Sequence, residues 1–226
     1  MNAVSAESFH KRSLTHRLHA GTQWVERNNS AVVQHYSPAD TQEQLQRCAL
    51  LDLSGLARTG LRGKSAQTIL AEQGLPFPEA PNQAAFADSG AIVARLGSSE
   101  CWVLDNPLDE AAEVCAALDQ RAQADAQAYP LYCQHSHAWF ALTGRHLPEL
   151  MAKICGVDLR PEAFPVGAVV QTSVARVNAI IVHHEIQGCP VFSVLCDSSL
   201  SEYFWAALLD AMQEFGGQPV GLSAFG

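Results

Sequence analysis

The stretch Leu50-Leu51-Asp52-Leu53-Ser54-Gly55-Leu56-Ala57-Arg58-Thr59-Gly60-Leu61-Arg62-Gly63 is the part of the chain from which the fold is read. Leu51, Leu53, Ala57, Thr59 and Leu61 alternate with their neighbours, the period of a half-buried strand. Gly55 and Gly60 interrupt the pattern and mark a bend or bulge. Gly63 ends it, and Ser65 to Leu70 reads as a helix. The same plan returns at His135 to Gly144, followed by Leu147, Leu150, Met151 and Ile154 at helical spacing. In this repeat Ser54 answers to Ser136 and Gly63 to Gly144, so two modules of similar plan are expected.

Working outward, the order of elements supports that division. Leu14 and Leu18 lie on a short helix closed by Gly21, and Thr22 to Tyr36 is expected to hold one short strand. Ser37-Pro38 predicts a helix from Pro38 to about Cys48. A proline-marked loop, Gly74 to Asn82, precedes a hairpin of strands Ala91 to Leu96 and Cys101 to Leu104. Pro107 opens a helix with Leu108, Ala112, Cys115 and Leu118 on one face.

Residues 119–128 carry no large apolar side chain and form the expected boundary. Beyond them, Gly156 to Gly167 is a second proline-marked loop, and strands are expected at about 168–174, 177–185 and 191–196. Ser199 to Glu202 reads as a capping box for a helix bearing Phe204, Leu208, Met212 and Phe215, and a last strand is expected over Pro219 to Phe225. The expected division is an outer N-terminal extension over 1–48, a first module over 49–128 and a second over 129–226. Each module resembles a ferredoxin-like, split βαβ unit, so the class is α+β, with helices packed on antiparallel sheets.

Composition narrows the function. With 226 residues and 48% apolar content the chain can bury a sizeable core. Fourteen basic against 23 acidic residues, a formal net charge of -9, argue against nucleic acid or an anionic membrane as the main partner. Apolar runs are too short to span a bilayer, and Met1 to Ser13 lacks a signal core. Seven irregularly spaced cysteines, mostly in apolar runs, read as reduced core residues of a cytoplasmic protein.

No motif of chemistry stands out from the residues alone. Gly63-Lys64-Ser65 ends like a phosphate-binding loop, but Arg58 stands where its first glycine belongs, so a helix start is the reading. His183 and His184 on a strand point to opposite faces and cannot grip one ion without a bulge. His135 and His137 share one expected strand face, with no Cys or carboxylate near them in sequence, and read as polar surface; no metal is expected.

Three blocks carry a resemblance. His16 to Gly21, leading into Asp52-Leu53-Ser54, resembles the opening of aminomethyltransferases, the glycine cleavage T-proteins. Gly74-Leu75-Pro76, Ala80-Pro81-Asn82 and Arg95 to Leu104 resemble the gamma subunit of heterotetrameric sarcosine oxidase. Cys155 to Gly167 with Gln171-Thr172 is very similar to that subunit's second half. The resemblance implies the T-protein (folate-binding) fold in a short version, without the C-terminal barrel.

It also fixes three positions to inspect. Where the family has its catalytic aspartate, Ser89 and Gly90 stand, with Asp88 one residue back as the candidate catalytic residue. The pterin-anchoring glutamate is replaced by Gly188-Cys189-Pro190-Val191, and the arginine after the Gly-Leu-Gly-Ala segment by Phe225. Each departure removes a charge that folate chemistry uses. The resemblance thus implies a non-catalytic gamma-type subunit or scaffold of a sarcosine-oxidase-like, amine-oxidising assembly of one-carbon metabolism. Its partners would be flavoprotein oxidase-like subunits, or further copies of itself. The alternative is a tetrahydrofolate-binding, aminomethyltransferase-like protein built around Asp88. An exposed Trp or Phe beside the Phe164-Pro165 loop would serve as an interface anchor; Trp24, Trp102, Trp139 and Trp205 otherwise read as core.

Overall fold

A computed structural model describes residues 4–36, 41–108 and 112–226. In chain order its strands and α-helices begin with β1 (Lys11–Arg12), β2 (Gln23–Arg27), β3 (Ser30–His35) and α1 (Gln42–Arg47). The first half continues with β4 (Ala49–Asp52), β5 (Arg58–Gly63), α2 (Ala66–Glu72), β6 (Gln83–Phe86), β7 (Ile92–Arg95), β8 (Glu100–Leu104) and α3 (Ala112–Gln123). Next come β9 (Ala128–Leu131), α4 (Cys133–Ser136), β10 (His137–Thr143), α5 (Leu147–Ile154), β11 (Val169–Val174), β12 (Val177–Ile186), β13 (Cys189–Asp197), α6 (Ser201–Met212) and β14 (Gln218–Pro219).

The stretch from Leu50 to Gly63 is two strands in two different sheets. A tight turn, closed by Leu56 N–H on the Leu53 carbonyl at 2.9 Å, carries the chain from β4 to β5. Gly55 sits in that turn because the N-terminal arm (residues 4–36) crosses over it: a Cβ there would lie 2.7 Å from the Ala31 carbonyl oxygen.

The five-stranded sheet runs β6-β7-β8-β5-β9, and the six-stranded sheet runs β11-β12-β13-β10-β4-β14. The first five strands of each correspond one to one, and all of those pairings are antiparallel. Each half lends a strand to the other: β4 pairs with β10, and β9 pairs with β5. The repeat read from sequence is therefore present, with its leading strands exchanged. Gly63 and Gly144 are true counterparts. Their φ values are +138° and +109°, and a Cβ would meet the Gln127 carbonyl oxygen at 2.1 Å and the Arg47 carbonyl oxygen at 2.5 Å. Ser54 answers to Gln134 and not to Ser136. Trp139 N–H donates to Ser54 Oγ at 3.0 Å, and in the matching place Arg58 N–H donates to Gln134 Oε1 at 2.8 Å.

Alternation along the strands sorts the core into layers. On β10, Trp139 and Ala141 face the layer between the sheets, with Leu51, Leu53, Leu56, Trp102 and Phe225. Phe140 and Leu142 face the layer under α5 and α6, with Leu150, Met151, Phe204 and Leu208. A third layer, with Leu61, Ile69, Leu70, Val103 and Leu118, lies under α2 and α3. Helices thus cover the outer faces and the sheets pack through their inner ones.

Several expectations are corrected. Thr22 to Tyr36 holds two strands, a hairpin turned at Asn28-Asn29 with φ of 53° and 59°. The short helix near Leu18 is a 3₁₀ turn, His16–Leu18. β6 follows the first proline loop, where no strand was expected. His135 lies on α4 and His137 on β10, so they do not share a strand face. Asp197, not a capping box from Ser199, accepts the Ser199 N–H at 2.8 Å and opens the turn into α6. After β14 the chain ends in a 3₁₀ turn, Leu222–Phe225, instead of a strand. The start of the Pro38 helix and residues 109–111 of the Pro107 helix lie outside the described residues; within them α1 is capped by Thr41.

The exchange makes the paired glycines the sharpest stability test. Gly63→Ala and Gly144→Ala should each lower stability by about 2–4 kcal/mol in urea unfolding, from steric overlap added to left-handed strain. Gly74→Ala, with φ +68° and open space around its Cβ, should cost about 1 kcal/mol.

Candidate functional site

Asp52 ends β4 and is 5% exposed. Its Oδ2 accepts from Thr15 Oγ1 and from His19 Nε2 at 2.9 Å, and its Oδ1 accepts from Ser54 N–H at 2.9 Å. His19 Nδ1 meets the Tyr36 hydroxyl, and its ring lies edge-on to Trp205 at 4.8 Å. Burial pushes the Asp52 carboxyl up, but the hydrogen bonds and charge of His19, with the hydroxyls of Ser13 and Thr15, bring it down to about 2. Carboxylate, imidazole and phenol in line resemble a proton relay. Thr15 and His19 are buried at 0% and 4% exposure, so no substrate reaches them. The cluster fastens the N-terminal arm to β4. Sequence reasoning missed it; the signal was a lone Asp within the apolar run 49–53.

Of the family's three positions, two come together in space and the third, at Asp88, does not. Cys189 and Phe225 line one cleft of about 250 Å³ with Leu45, Ile186, Pro190 and Arg145. Among the described residues no carboxylate lines it. Cys189 Sγ points to the Leu45 carbonyl oxygen at 3.7 Å, and burial raises its thiol. Its described lining lacks the acid that would anchor a pterin edge. These residues do not fit a folate. Asp88 lies on the turn between β6 and β7, closed by Gly90 N–H on the Ala87 carbonyl at 2.8 Å, and is not in the lining of that cleft.

The histidines divide by environment. His183 and His184 do point to opposite faces of β12. His183 Nδ1 bonds the Phe164 carbonyl at 2.7 Å, while His184 Nε2 bonds Ser193 Oγ at 2.8 Å. Trp139 Nε1 also donates to Ser193 Oγ, at 2.9 Å. Burial, then the charge of His183, holds His184 down to about 3. His135 and His137 line a common cleft with Arg58. Among the described residues no group of three His, Cys, Asp or Glu side chains is placed to hold a metal ion.

The Gln83–Ala168 bridge joins the edges of the two sheets. Val166, next to Pro165, is 46% exposed, and Phe86, at the other end of β6 from the bridge, is 45% exposed. Trp102, Trp139 and Trp205 are buried. All seven cysteines are free thiols, and no helix among the described residues is long and apolar enough to cross a membrane.

Exchanged strands, a paired α+β plan and a filled central layer define a domain class, and comparison with known proteins names it. The family model of the GCVT N-terminal domain matches residues 81–226, and the chain belongs to that family. The sarcosine oxidase subunit gamma of Corynebacterium sp. (strain P-1) is 27% identical over 175 residues, covering 76% of this chain and 83% of the relative. Heterotetrameric sarcosine oxidase from Corynebacterium sp. U-96 has a chain that superposes with a TM-score of 0.64 at 24% identity, over 78% of this chain and 91% of its own. Aminomethyltransferase T of the Bartonella henselae glycine cleavage system superposes with a TM-score of 0.73 at 17% identity, over 95% of this chain; the match spans 60% of the aminomethyltransferase.

The buried His184 sets an acid dependence. Its folded value lies below the unfolded ~6.5, so the unfolded state takes up a proton first as pH falls. Stability is full above about pH 6.5 and is lost toward pH 3, by about 1.4 kcal/mol per pH unit. Asp52 adds a second loss only below about pH 4. Urea unfolding at pH 7 and pH 5 should differ by about 2 kcal/mol, and His184→Gln should flatten most of that difference.

Proposed function

We propose that this chain is a non-catalytic, gamma-type subunit or scaffold of a sarcosine-oxidase-like assembly that oxidises amines in one-carbon metabolism. The observation that carries the reading is the cleft at Cys189 and Phe225, where thiol and phenyl stand in place of the family's glutamate and arginine. Similarity over most of the length of a gamma subunit supports the same reading. The free, mainly buried thiols support a cytoplasmic setting.

Flavoprotein oxidase-like subunits are the proposed partners, and Phe86 with Val166 the proposed anchor. A stable assembly buries at least ~1,000 Å² in total. Affinity purification of the tagged chain from its native host should recover a flavoprotein. Phe86→Asp with Val166→Asp should release it while leaving the melting temperature unchanged. A monodisperse monomer that recovers no flavoprotein ends this reading; self-association through the same face would make it a homomeric scaffold instead.

The rival reading is a tetrahydrofolate-dependent aminomethyltransferase that uses Asp88. Calorimetric titration with a reduced folate separates the two. We expect no heat of binding; a micromolar affinity, about -8 kcal/mol, with turnover abolished by Asp88→Asn, would establish the enzyme.

A further inference from the structure

Arg58 opens β5 and is 3% exposed. Its Nη1 donates to the Ser54 and Leu56 carbonyls, both at 3.0 Å, and its Nη2 to the Gln134 carbonyl at 3.2 Å and the His137 carbonyl. Its buried Nε has no hydrogen-bond partner. Among the described residues no carboxylate is hydrogen-bonded to it. Asp52, the acid whose charge reaches it, is already bound by Thr15, His19 and Ser54. Burial lowers the guanidinium to about 10, which still leaves it fully charged at neutral pH. A cation this deep has only carbonyl oxygens as hydrogen-bond partners, and Asp52 acts on it through space without a direct ion pair.

That cation forms part of the wall of a cleft of about 210 Å³, where the N-terminal arm meets the two sheets. Lys11, Arg12, His135, His137 and Gln134 line it with Arg58, and among the described residues no Asp or Glu does. The lining is basic in a chain whose formal net charge is -9. A second cleft of about 360 Å³ shares Lys11, Arg58, Gln134 and His135; among the described residues its one acid is Asp119, engaged by the Thr59 hydroxyl. Lys11 and His135 are exposed, so an anion entering from solvent meets them before the buried charge.

We propose that this cleft binds the oxyanion group, phosphate or carboxylate, of a small ligand, with Arg58 as the buried counter-charge and Lys11, His135 and His137 as the groups that meet it. A low-dielectric wall strengthens the attraction of Arg58 for an anion beside it. A purely structural role, holding four carbonyls, accounts for the position of Arg58 but not for the acid-free lining.

The test uses the full chain, with inorganic phosphate and acetate as separate probes, and ionic strength held constant with sodium chloride. Thermal unfolding and calorimetry should show a saturable response to at least one probe that chloride does not reproduce. Phosphate alone acting would assign a phosphorylated ligand; acetate acting as well would assign a carboxylate. Lys11→Ala with His135→Ala leaves the four carbonyl bonds intact. It should weaken binding at least about tenfold without moving the ligand-free melting temperature. Arg58→Met should abolish binding; if that variant does not fold, the double variant still decides. No saturable response to either probe, or unchanged affinity in the double variant, overturns the proposal.

Discussion

The chain leaves one sheet at Asp52 and enters the other at Arg58, and the rest of the structure depends on how that crossing is held. Both ends are buried charges, and neither pairs with the other. Asp52 binds outward, to Thr15 and His19 of the arm. Arg58 binds across, to carbonyls of its own crossing at Ser54 and Leu56 and of the matching one at Gln134 and His137. One guanidinium therefore ties together the two places where the sheets exchange strands. Neither sheet is complete without a strand from the other half.

Much of this plan was legible because local periodicity carried it. The apolar faces of α5 and α6, the opposed His183 and His184, and the paired Gly63 and Gly144 all follow from spacing alone. Strand exchange could not be read that way. The alternation in Leu50 to Gly63 is the same whether its two halves pair with one sheet or two, and pairing partners are a long-range property. β6 escaped for a related reason: Gln83 to Phe86 is short and has no β-branched residue, and its position depends on β7 and on the Ala84 N–H to Gly167 carbonyl bond at 2.7 Å. The arm hairpin did leave a signal. Asn28-Asn29 is a pair suited to left-handed turns, and it sits between two valine-bearing runs.

The candidate sites were legible to different depths. Resemblance named Cys189 and Phe225 separately, and folding brings them to one cleft. His135 and His137 were noticed as a pair, but for the wrong geometry: a helical turn followed by a strand, not one strand face, turns both toward Arg58. Arg58 itself entered the sequence reading only as the residue that spoils a phosphate-loop motif. Its burial is a consequence of the crossing, and no local pattern announces that.

A polar site and a packed core make opposite demands on the same space. A pterin site needs a void, with donors and acceptors held unsatisfied until the ligand arrives, and each such group costs stability when it is buried. Here Phe225 and Leu222 reach the layer between the sheets and pack with Leu56, Val32 and Trp102. Apolar burial of this kind contributes about 25 cal/mol per Å², where an open polar site would subtract. Charge loss at Cys189 and Phe225 and apolar filling beside them thus act in the same direction, toward a rigid body. What remains polar and unsatisfied has moved to the arm side, at Arg58. On the proposed subunit role, the closed centre would serve stability, the exposed Phe86 and Val166 contact with a partner, and the Arg58 cleft the proposed anion.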